Sequence, residues 1–143
     1  MTKLTAKDLM VGDYVQFPKT NHIFKVQTIS GGEQDTLHYV TAKNGNGDFL
    51  SRSEWEGVPL TAEILEKNGV VYAYDRDVCV ADYTYKKVKG YQYNDENVLI
   101  DYFNGYIRLM NGIPAAAVYM NINYVHELQN ALKLCGIKKE IVL

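Results

Sequence analysis

Hydrophobic and polar positions change their spacing twice along the chain, and these changes divide it into two predicted lobes. Residues 1–57 hold short apolar runs separated by Gly, Pro and Asn, a pattern typical of short strands. From residue 58 onward, a helical spacing is followed by a long stretch of period two and then by a second helical spacing. We therefore predict an α+β fold with a small β-barrel-like lobe at 1–57 and an α+β lobe at 58–143, packed together as one unit.

The first lobe is predicted to contain a short helical turn and four short strands. Thr5 can cap the turn, which runs through Met10, because its hydroxyl can accept a backbone N–H. Strands are then predicted at 14–17, 23–29, 37–42 and 49–50. The first two form a hairpin, and the four together predict a small SH3-like barrel or a curled antiparallel sheet. The run Leu9-Met10-Val11-Gly12-Asp13-Tyr14-Val15 resembles the start of the first strand in SH3-like barrels.

The second lobe is predicted to contain an antiparallel sheet packed with two helices. Thr61 caps the first helix, and Asn68-Gly69 ends it, because Gly relieves the steric cost of the left-handed residue that closes many helices. Period two then runs over 70–119 and predicts a meander of strands. Within it, Asn104-Gly105 is the strongest hairpin signal in the chain.

The chain is predicted to end with the second helix and a strand. Asn121 or Asn123 caps this helix, and its apolar positions fall on one stripe, made of Val125, Leu128, Leu132 and Cys135. The apolar tail 137–143 predicts a last strand that pairs inside the second sheet. Pro59 is predicted to stiffen the joint between the lobes. Trp55 lies near this joint, and its side chain is predicted to pack one lobe on the other.

Positive and negative charges are nearly balanced, with fifteen Lys and Arg against seventeen Asp and Glu. The chain therefore has no overall attraction to nucleic acid or to a membrane surface. The runs Lys86-Lys87-Val88-Lys89 and Asp75-Arg76-Asp77 are interpreted as solvated turns. Because no apolar run has the length of a leader or a membrane span, we expect a cytoplasmic protein without membrane contact. Cys79 and Cys135 lie far apart, so buried free thiols are expected.

Three segments of the chain together resemble a known group of proteins. They are Leu-Thr-Ala-Lys-Asp-Leu-Met-Val-Gly-Asp-Tyr-Val at 4–15, Val-Pro-Leu-Thr-Ala-Glu-Ile-Leu-Glu-Lys-Asn-Gly at 58–69 and Asn-Tyr-Val-His-Glu-Leu-Gln-Asn-Ala-Leu at 123–132. Together they are similar to small uncharacterised proteins of Bacteroides-type gut bacteria and their prophages. The resemblance implies an intracellular accessory protein of a mobile element, and it assigns no functional residue.

Catalytic and metal-binding motifs are incomplete in this sequence. His126-Glu127 begins the pattern of a helical zinc protease site, but Asn130 stands where the second His is needed. His126 is therefore interpreted as a hydrogen-bonded residue beside the apolar stripe. The remaining histidines, His22 and His38, have no metal-ligand type at close spacing. Because a nucleophile elbow and a phosphate-binding Gly-rich loop are both missing, we predict neither an enzyme nor a metal or cofactor.

Tyrosine is the unusual component, since it supplies 12 of the 17 aromatic residues. Tyr is common at protein interfaces because its ring buries apolar area while its hydroxyl keeps a polar partner. Alternate tyrosines also stabilise a sheet by cross-strand packing alone, and this second interpretation stays open. The candidate binding residues are three pairs, each predicted to share one face of a strand: Tyr72 and Tyr74, Tyr83 and Tyr85, and Tyr91 and Tyr93.

The leading functional prediction is a non-enzymatic interaction protein. It would hold a protein partner, or form a homodimer, through exposed tyrosines of the second sheet or through the sheet edge. The alternative is a nucleic-acid-binding accessory module, in which the small barrel stacks bases on aromatic rings. The phosphate contacts of that alternative are assigned to Lys19, Lys25, Lys43 and Arg52. The mild acidity of the chain counts against it.

Overall fold

The computed structural model describes residues 3–30, 39–95, 97–112 and 117–143. Two antiparallel sheets dominate, one of six strands and one of five, and two α-helices complete the fold. The predicted α+β class is confirmed. The chain divides into two compact units, the first made of Met1–Pro59 with Tyr124–Asn130 and the second of Leu60–Asn123 with Ala131–Leu143.

The first unit is built on a curled sheet that forms half of a barrel. Its strands are β1 Lys3–Leu4, β2 Tyr14–Gln16, β3 Ile23–Ser30, β4 Tyr39–Asn44, β5 Phe49–Arg52 and β6 Trp55–Gly57. They lie in the order β1-β6-β2-β3-β4-β5, and the predicted β2–β3 hairpin is confirmed. The predicted third strand is seen from Tyr39 onward, while its first two residues, Leu37 and His38, lie outside the described ranges. Thr5 precedes a 3-10 helix at Ala6–Asp8, which is shorter than the predicted turn. Its N–H and its hydroxyl donate to the Asp8 carboxylate at 2.9 and 3.2 Å, so the cap differs from the predicted one, in which the hydroxyl accepts a backbone N–H.

Alternate side chains of these strands form the interior of the first unit. Val15, Val26 and Val40 are fully buried there, beside the similarly buried Trp55. The indole nitrogen of Trp55 donates to the carbonyl of Val40 at 3.2 Å, and its ring centroid lies 5.1 Å from that of Phe24. The prediction that Trp55 packs one lobe on the other is therefore corrected: it is a core residue of the first unit.

A segment far along the chain completes the first unit. Helix α2 spans Val125–Leu134, and its residues up to Asn130 belong to this unit. The Gln129 amide donates to the carbonyl of Gly12 at 2.9 Å and accepts from the Tyr14 N–H at 2.8 Å. The buried Asp13 carboxylate accepts from Asn130 at 3.3 Å and from the Met10 N–H at 2.9 Å. These side chains satisfy backbone groups at and before the start of β2.

The second unit contains helix α1, a five-stranded sheet and the remainder of α2. Helix α1 spans Ala62–Lys67, and the strands are β7 Val71–Ala81, β8 Thr84–Asp95, β9 Val98–Phe103, β10 Tyr106–Asn111 and β11 Ala117–Asn121. The sheet order β11-β10-β9-β8-β7 is a simple meander, as predicted. Neither helix, among the residues described, has the length and hydrophobicity needed to cross a membrane.

Local sequence signals explain where the elements of the second unit begin and end. The Thr61 hydroxyl accepts from the Ile64 N–H at 3.3 Å, and Gly69 has a φ of +82°, so both predicted ends of α1 are confirmed. Asn104 and Gly105 have φ values of +49° and +80°. Two consecutive positive φ values make the tight turn that joins β9 to β10, which confirms the predicted hairpin.

The predicted strand over residues 137–143 is wrong, because this tail is irregular. The Asn68 amide donates to the Val142 carbonyl and accepts from the Val142 N–H, both at 2.8 Å. One side chain thus provides the pair of hydrogen bonds that a neighbouring strand would otherwise supply. Ile137 and Ile141 are buried, which accounts for the apolar pattern of the tail.

The two charged runs predicted to be turns are strand residues instead. Asp75 lies opposite Lys89, and Asp77 lies opposite Lys87, in the antiparallel pair of β7 and β8. Opposite charges facing each other across strands stabilise the pairing, so high charge density does not exclude a strand here.

Both cysteines are free thiols, and their predicted burial is corrected. Cys79 is exposed in β7, whereas Cys135 is half-buried. Burial raises the pKa of the Cys135 thiol.

Candidate functional site

The register of the second sheet decides where each candidate tyrosine lies. Tyr72 is opposite Tyr91, but Tyr74 is opposite Gly90, so Ala73 is an extra residue that forms a β-bulge. Because a bulge breaks the alternation of side chains, Tyr72 and Tyr74 lie on opposite faces of the sheet. The prediction that these two tyrosines share a face is therefore wrong.

One face of the sheet, here named the inner face, is largely buried. Ile100, Ile107 and Leu109 lie on it and are at most 1% exposed. Tyr93 lies opposite Ile100 and therefore on the inner face. Tyr91, two residues earlier in the same regular strand, lies on this face too, so the prediction that Tyr91 and Tyr93 share a face is confirmed. Both rings are half-buried, and the Lys139 ammonium lies 4.2 Å from the centroid of the Tyr93 ring. These tyrosines mainly pack within their own unit.

Tyr72 occupies the margin of the inner face. Its ring meets that of Tyr91 edge-on at a centroid distance of 6.4 Å, and Lys89 lies 5.6 Å from the ring centroid. A hydrogen bond with Asp75 raises the pKa of the Tyr72 phenol. Tyr72 is nevertheless 47% exposed. It therefore leaves about half of its ring surface accessible at the edge strand.

The opposite face, here named the outer face, carries Tyr74, Phe103, Tyr106, Arg108 and Tyr119. The Tyr74 ring lies directly on Gly90, since a Cβ atom at that glycine would come within 2.2 Å of the ring. The Tyr74 hydroxyl donates to Asp101 Oδ1 at 2.6 Å. Burial, reinforced by this carboxylate, raises the pKa of Tyr74 to about 12. Tyr74 is thus held in place on two sides.

Charge at the centre of the outer face is compensated locally. Asp101 is only 6% exposed, and its second oxygen lies 3.9 Å from an Arg108 guanidinium nitrogen. The Arg76 guanidinium lies 4.2 Å from the centroid of the Phe103 ring. Arginine over an aromatic ring is an attractive contact that also orders both side chains.

Two accessible tyrosines complete the outer face. Tyr106 is 52% exposed and Tyr119 is 71% exposed. The Tyr106 ring centroid is 6.3 Å from that of Phe103. Neither tyrosine is among the candidate residues predicted from the sequence. The Asn104-Gly105 turn is the signal that indicates Tyr106, because this turn fixes the register of β9 and β10 and places Tyr106 opposite Phe103.

The remaining pair, Tyr83 and Tyr85, lies at the tip of the β7–β8 hairpin. Tyr83 has a φ of +56° and belongs to the turn, so it does not share a strand face with Tyr85 as predicted. Their side chains are 97% and 65% exposed. The six predicted tyrosines are thus distributed over the inner face, the outer face and this tip, and only Tyr72, Tyr91 and Tyr93 are brought together.

The histidine considered as a metal ligand is a buried residue of the first unit. His126 is 6% exposed and stacks on Tyr124, with ring centroids 5.9 Å apart. Burial lowers its pKa. Its Nδ1 has no hydrogen-bond partner among the described residues, which corrects the expectation of a hydrogen-bonded side chain. The part of the chain that the structure describes contains no group of three metal-ligating residues.

The lysines of the alternative hypothesis form an ordered row on the first sheet. Tyr14, Lys25, Lys43 and Phe49 are consecutive cross-strand neighbours on β2, β3, β4 and β5. Each lysine lies beside one ring, at 5.4 Å from the Tyr14 centroid and 5.3 Å from the Phe49 centroid.

Phe24 and Asn44 form the cross-strand pair next to Lys25 and Lys43, and they line an open cleft of about 400 Å³.

The other two predicted phosphate-binding residues, Lys19 and Arg52, lie apart from the lysine row. Lys19 is in a turn, where its N–H donates to Glu56 at 3.0 Å, and the Arg52 guanidinium lies 4.5 Å from the Phe17 ring centroid.

Comparison with known proteins adds nothing to these assignments, because no family model, no curated protein and no solved structure matches the chain.

Proposed function

We propose that this chain is a non-enzymatic accessory protein that binds a protein partner, or a second copy of itself, through the outer face of its second sheet. The observation that carries the proposal is the exposure of Tyr106 and Tyr119 around a fixed centre formed by Tyr74 and Asp101. Exposed tyrosines beside an ordered polar centre have the composition of a protein interface.

Binding at this face should lose little side-chain entropy. A tyrosine has only two rotatable angles, and the Tyr106 ring already packs beside Phe103. The Tyr74 ring is held by Gly90 beneath it and by its hydrogen bond, so it needs no rearrangement. A preorganised aromatic surface converts more of its contact area into affinity than a mobile one does.

Capture from a lysate of the source cells tests the proposal. Immobilised wild-type protein is compared with a Tyr106→Ser and Tyr119→Ser double variant, and sedimentation velocity of the same proteins measures self-association. Because aromatic anchors dominate interface energies, we expect the double variant to lose a bound species or the dimer. Circular dichroism and urea unfolding establish that the variant is folded.

The matched control is Tyr39→Ser, because Tyr39 is 46% exposed in the first unit and lies on neither face of the second sheet. This control should retain every species that the wild type binds. If the double variant and Tyr39→Ser bind the same species to the same extent, the outer face is not the binding surface.

We also propose, as the second candidate, that the first unit binds single-stranded nucleic acid. Support comes from Lys25 and Lys43, which lie directly opposite each other between two aromatic rings. An anionic backbone would contact both ammonium groups, and Tyr14 and Phe49 would stack bases on either side. In this proposal the curled sheet acts as the SH3-like barrel that the sequence predicts.

A fluorescein-labelled oligothymidine tests the second candidate by anisotropy. A Lys25→Gln and Lys43→Gln variant should bind more weakly than a Lys7→Gln and Lys67→Gln control of equal net charge. Binding by the wild type should also weaken steeply as salt increases, because counterions are released on phosphate contact. Affinity that is independent of salt, or equal in both variants, would exclude this candidate.

A further inference from the structure

The β7–β8 hairpin extends beyond the sheet as a two-stranded arm. Pairing of β8 with β9 begins at Gly90, so residues 84–89 of β8 pair only with residues 75–81 of β7 among the described strands. Six residues of strand correspond to about 20 Å of arm. An isolated pair of strands is at best marginally stable in water and is normally completed by a third strand or a packed element.

The two edges of this arm differ in their readiness to accept another strand. The β7 edge of the arm contains a register shift between Cys79 and Ala81, and a second shift between Tyr72 and Tyr74 directly precedes the arm. Bulges on an edge strand oppose further pairing. The β8 edge keeps a regular register from Tyr85 to Lys89. Roughly half of its backbone N–H and carbonyl groups point away from β7, as in any antiparallel strand.

Charge on the β8 edge indicates the kind of strand that fits. Lys86, Lys87 and Lys89 are all exposed. Asp75 and Asp77 lie opposite Lys89 and Lys87 on the β7 side, and every charged side chain within residues 84–89 of β8 is positive. A strand added at this edge would place its side chains next to the lysines, and acidic side chains are the complementary ones.

A second copy of this chain is a poorer occupant of the same edge. Symmetric pairing of two β8 edges would bring three lysines from each copy together, which is destabilising. Pairing of β8 with the β7 edge of another copy is a head-to-tail contact that does not close into a dimer. It would also meet the two register shifts of β7.

We propose that residues 84–89 of β8 bind an extended acidic segment of a partner protein by adding it as a third strand to the arm. Backbone hydrogen bonds would hold the segment, and the three lysines would select its charge. The inference goes beyond the proposed function, because it assigns a separate contact, and an acidic class of partner, to the edge of the same sheet. Exposed Tyr83 and Tyr85 at the tip would flank the added strand.

Three labelled hexapeptides test this inference by fluorescence anisotropy. The first alternates Glu and Val, the second has Gln in place of Glu, and the third is the acidic peptide with alternate backbone nitrogens methylated. We expect the wild-type protein to bind the acidic peptide at least about tenfold more tightly than either of the others. Equal binding of the methylated peptide would overturn strand addition, because that peptide keeps the charge but lacks the donors.

Protein variants and amide exchange locate the contact. A Lys86→Gln, Lys87→Gln and Lys89→Gln variant should lose about tenfold or more in affinity for the acidic peptide. The matched control changes three exposed lysines elsewhere, Lys7, Lys67 and Lys138, to Gln and should bind like the wild type. Saturating peptide should slow hydrogen exchange in residues 84–89, and unchanged exchange there would overturn the inference.

The outcomes separate this inference from the proposed function. The strand addition alone is refuted if the Tyr106→Ser and Tyr119→Ser variant loses lysate capture while none of the three peptides binds to the wild-type protein. Peptide binding at the arm with unaltered capture by the tyrosine variant refutes the outer-face proposal alone. A wild-type dimer that the triple Lys→Gln variant lacks would show that a second copy occupies the edge, and would overturn the acidic partner.

Discussion

Replacement of Gly90 by Ala is predicted to destabilise the protein through one side chain, that of Tyr74. The added Cβ would lie 2.2, 2.3 and 2.6 Å from three carbon atoms of the Tyr74 ring. Carbon atoms in good contact are about 3.5 Å apart, so the ring must move by about 1.3 Å. Gly90 does not have a positive φ, so the backbone itself accepts alanine.

The magnitude follows from what the displaced ring loses. The hydrogen bond from the Tyr74 hydroxyl to Asp101 measures 2.6 Å, and a bond to a charged group contributes about 1.5 to 3 kcal/mol. Overpacking adds about 1 kcal/mol, the lower end of its range, because the half-exposed ring can move outward. Alanine in a strand recovers about 0.5 to 1 kcal/mol of backbone entropy relative to glycine. We therefore expect a net loss of about 2 kcal/mol in the free energy of unfolding.

A double-mutant cycle measured by urea unfolding isolates this contact. In a Tyr74→Ala background the clash is removed, so Gly90→Ala should be neutral or stabilising by about 0.5 kcal/mol. Gly45→Ala is the control in the wild-type background, because a Cβ atom there meets nothing within 4 Å. Equal destabilisation by Gly90→Ala with and without the Tyr74 ring would refute this account of the outer face.

Three further predictions concern single groups. Alkaline absorbance titration should find one tyrosine, Tyr74, with a pKa of about 12, and Asp101→Asn should lower that pKa because the carboxylate helps to raise it. The pKa of His126 is lower in the folded protein than in the unfolded chain, so the unfolded chain binds the proton at a higher pH than the folded protein does. The free energy of unfolding should therefore decrease as the pH falls below about 6.5, and His126→Gln should remove this dependence. Asn68→Ala removes both hydrogen bonds to Val142, each worth about 1 kcal/mol, and should accelerate amide hydrogen exchange at Val142 at least about tenfold, while Asn46→Ala should not.

Local signals in the sequence predict the parts of the fold that depend on local chemistry. The Asn104-Gly105 hairpin and the ends of α1 at Thr61 and Gly69 need only a few neighbouring residues, and all three are observed. Strand β6 is different, because Trp55–Gly57 is too short to show a period and pairs with β1 more than fifty residues earlier. Pairing at that distance leaves no local pattern.

The candidate site was harder to predict than the fold, for two physical reasons. The bulge between Tyr72 and Tyr74 reverses which side chains face outward, and bulges have no reliable sequence signature at such a position. The charges of Asp75 and Lys89 resemble those of a turn, although the two residues lie opposite each other across the hairpin. The period of two alone therefore could not assign the tyrosine rings to the two faces of the sheet.

Completion of the first unit by residues 124–130 has a consequence for the order of folding during synthesis. Gln129 bonds to Gly12 and Tyr14 across more than a hundred intervening residues. When residues 1–59 leave the ribosome, Gln129 has not yet been synthesised, so its side-chain amide cannot yet bond to the backbone at the start of β2. Contacts of such long range slow folding, because a large loop must close first. We therefore expect the nascent half-barrel to remain open, and accessible to chaperones, until translation has passed α2.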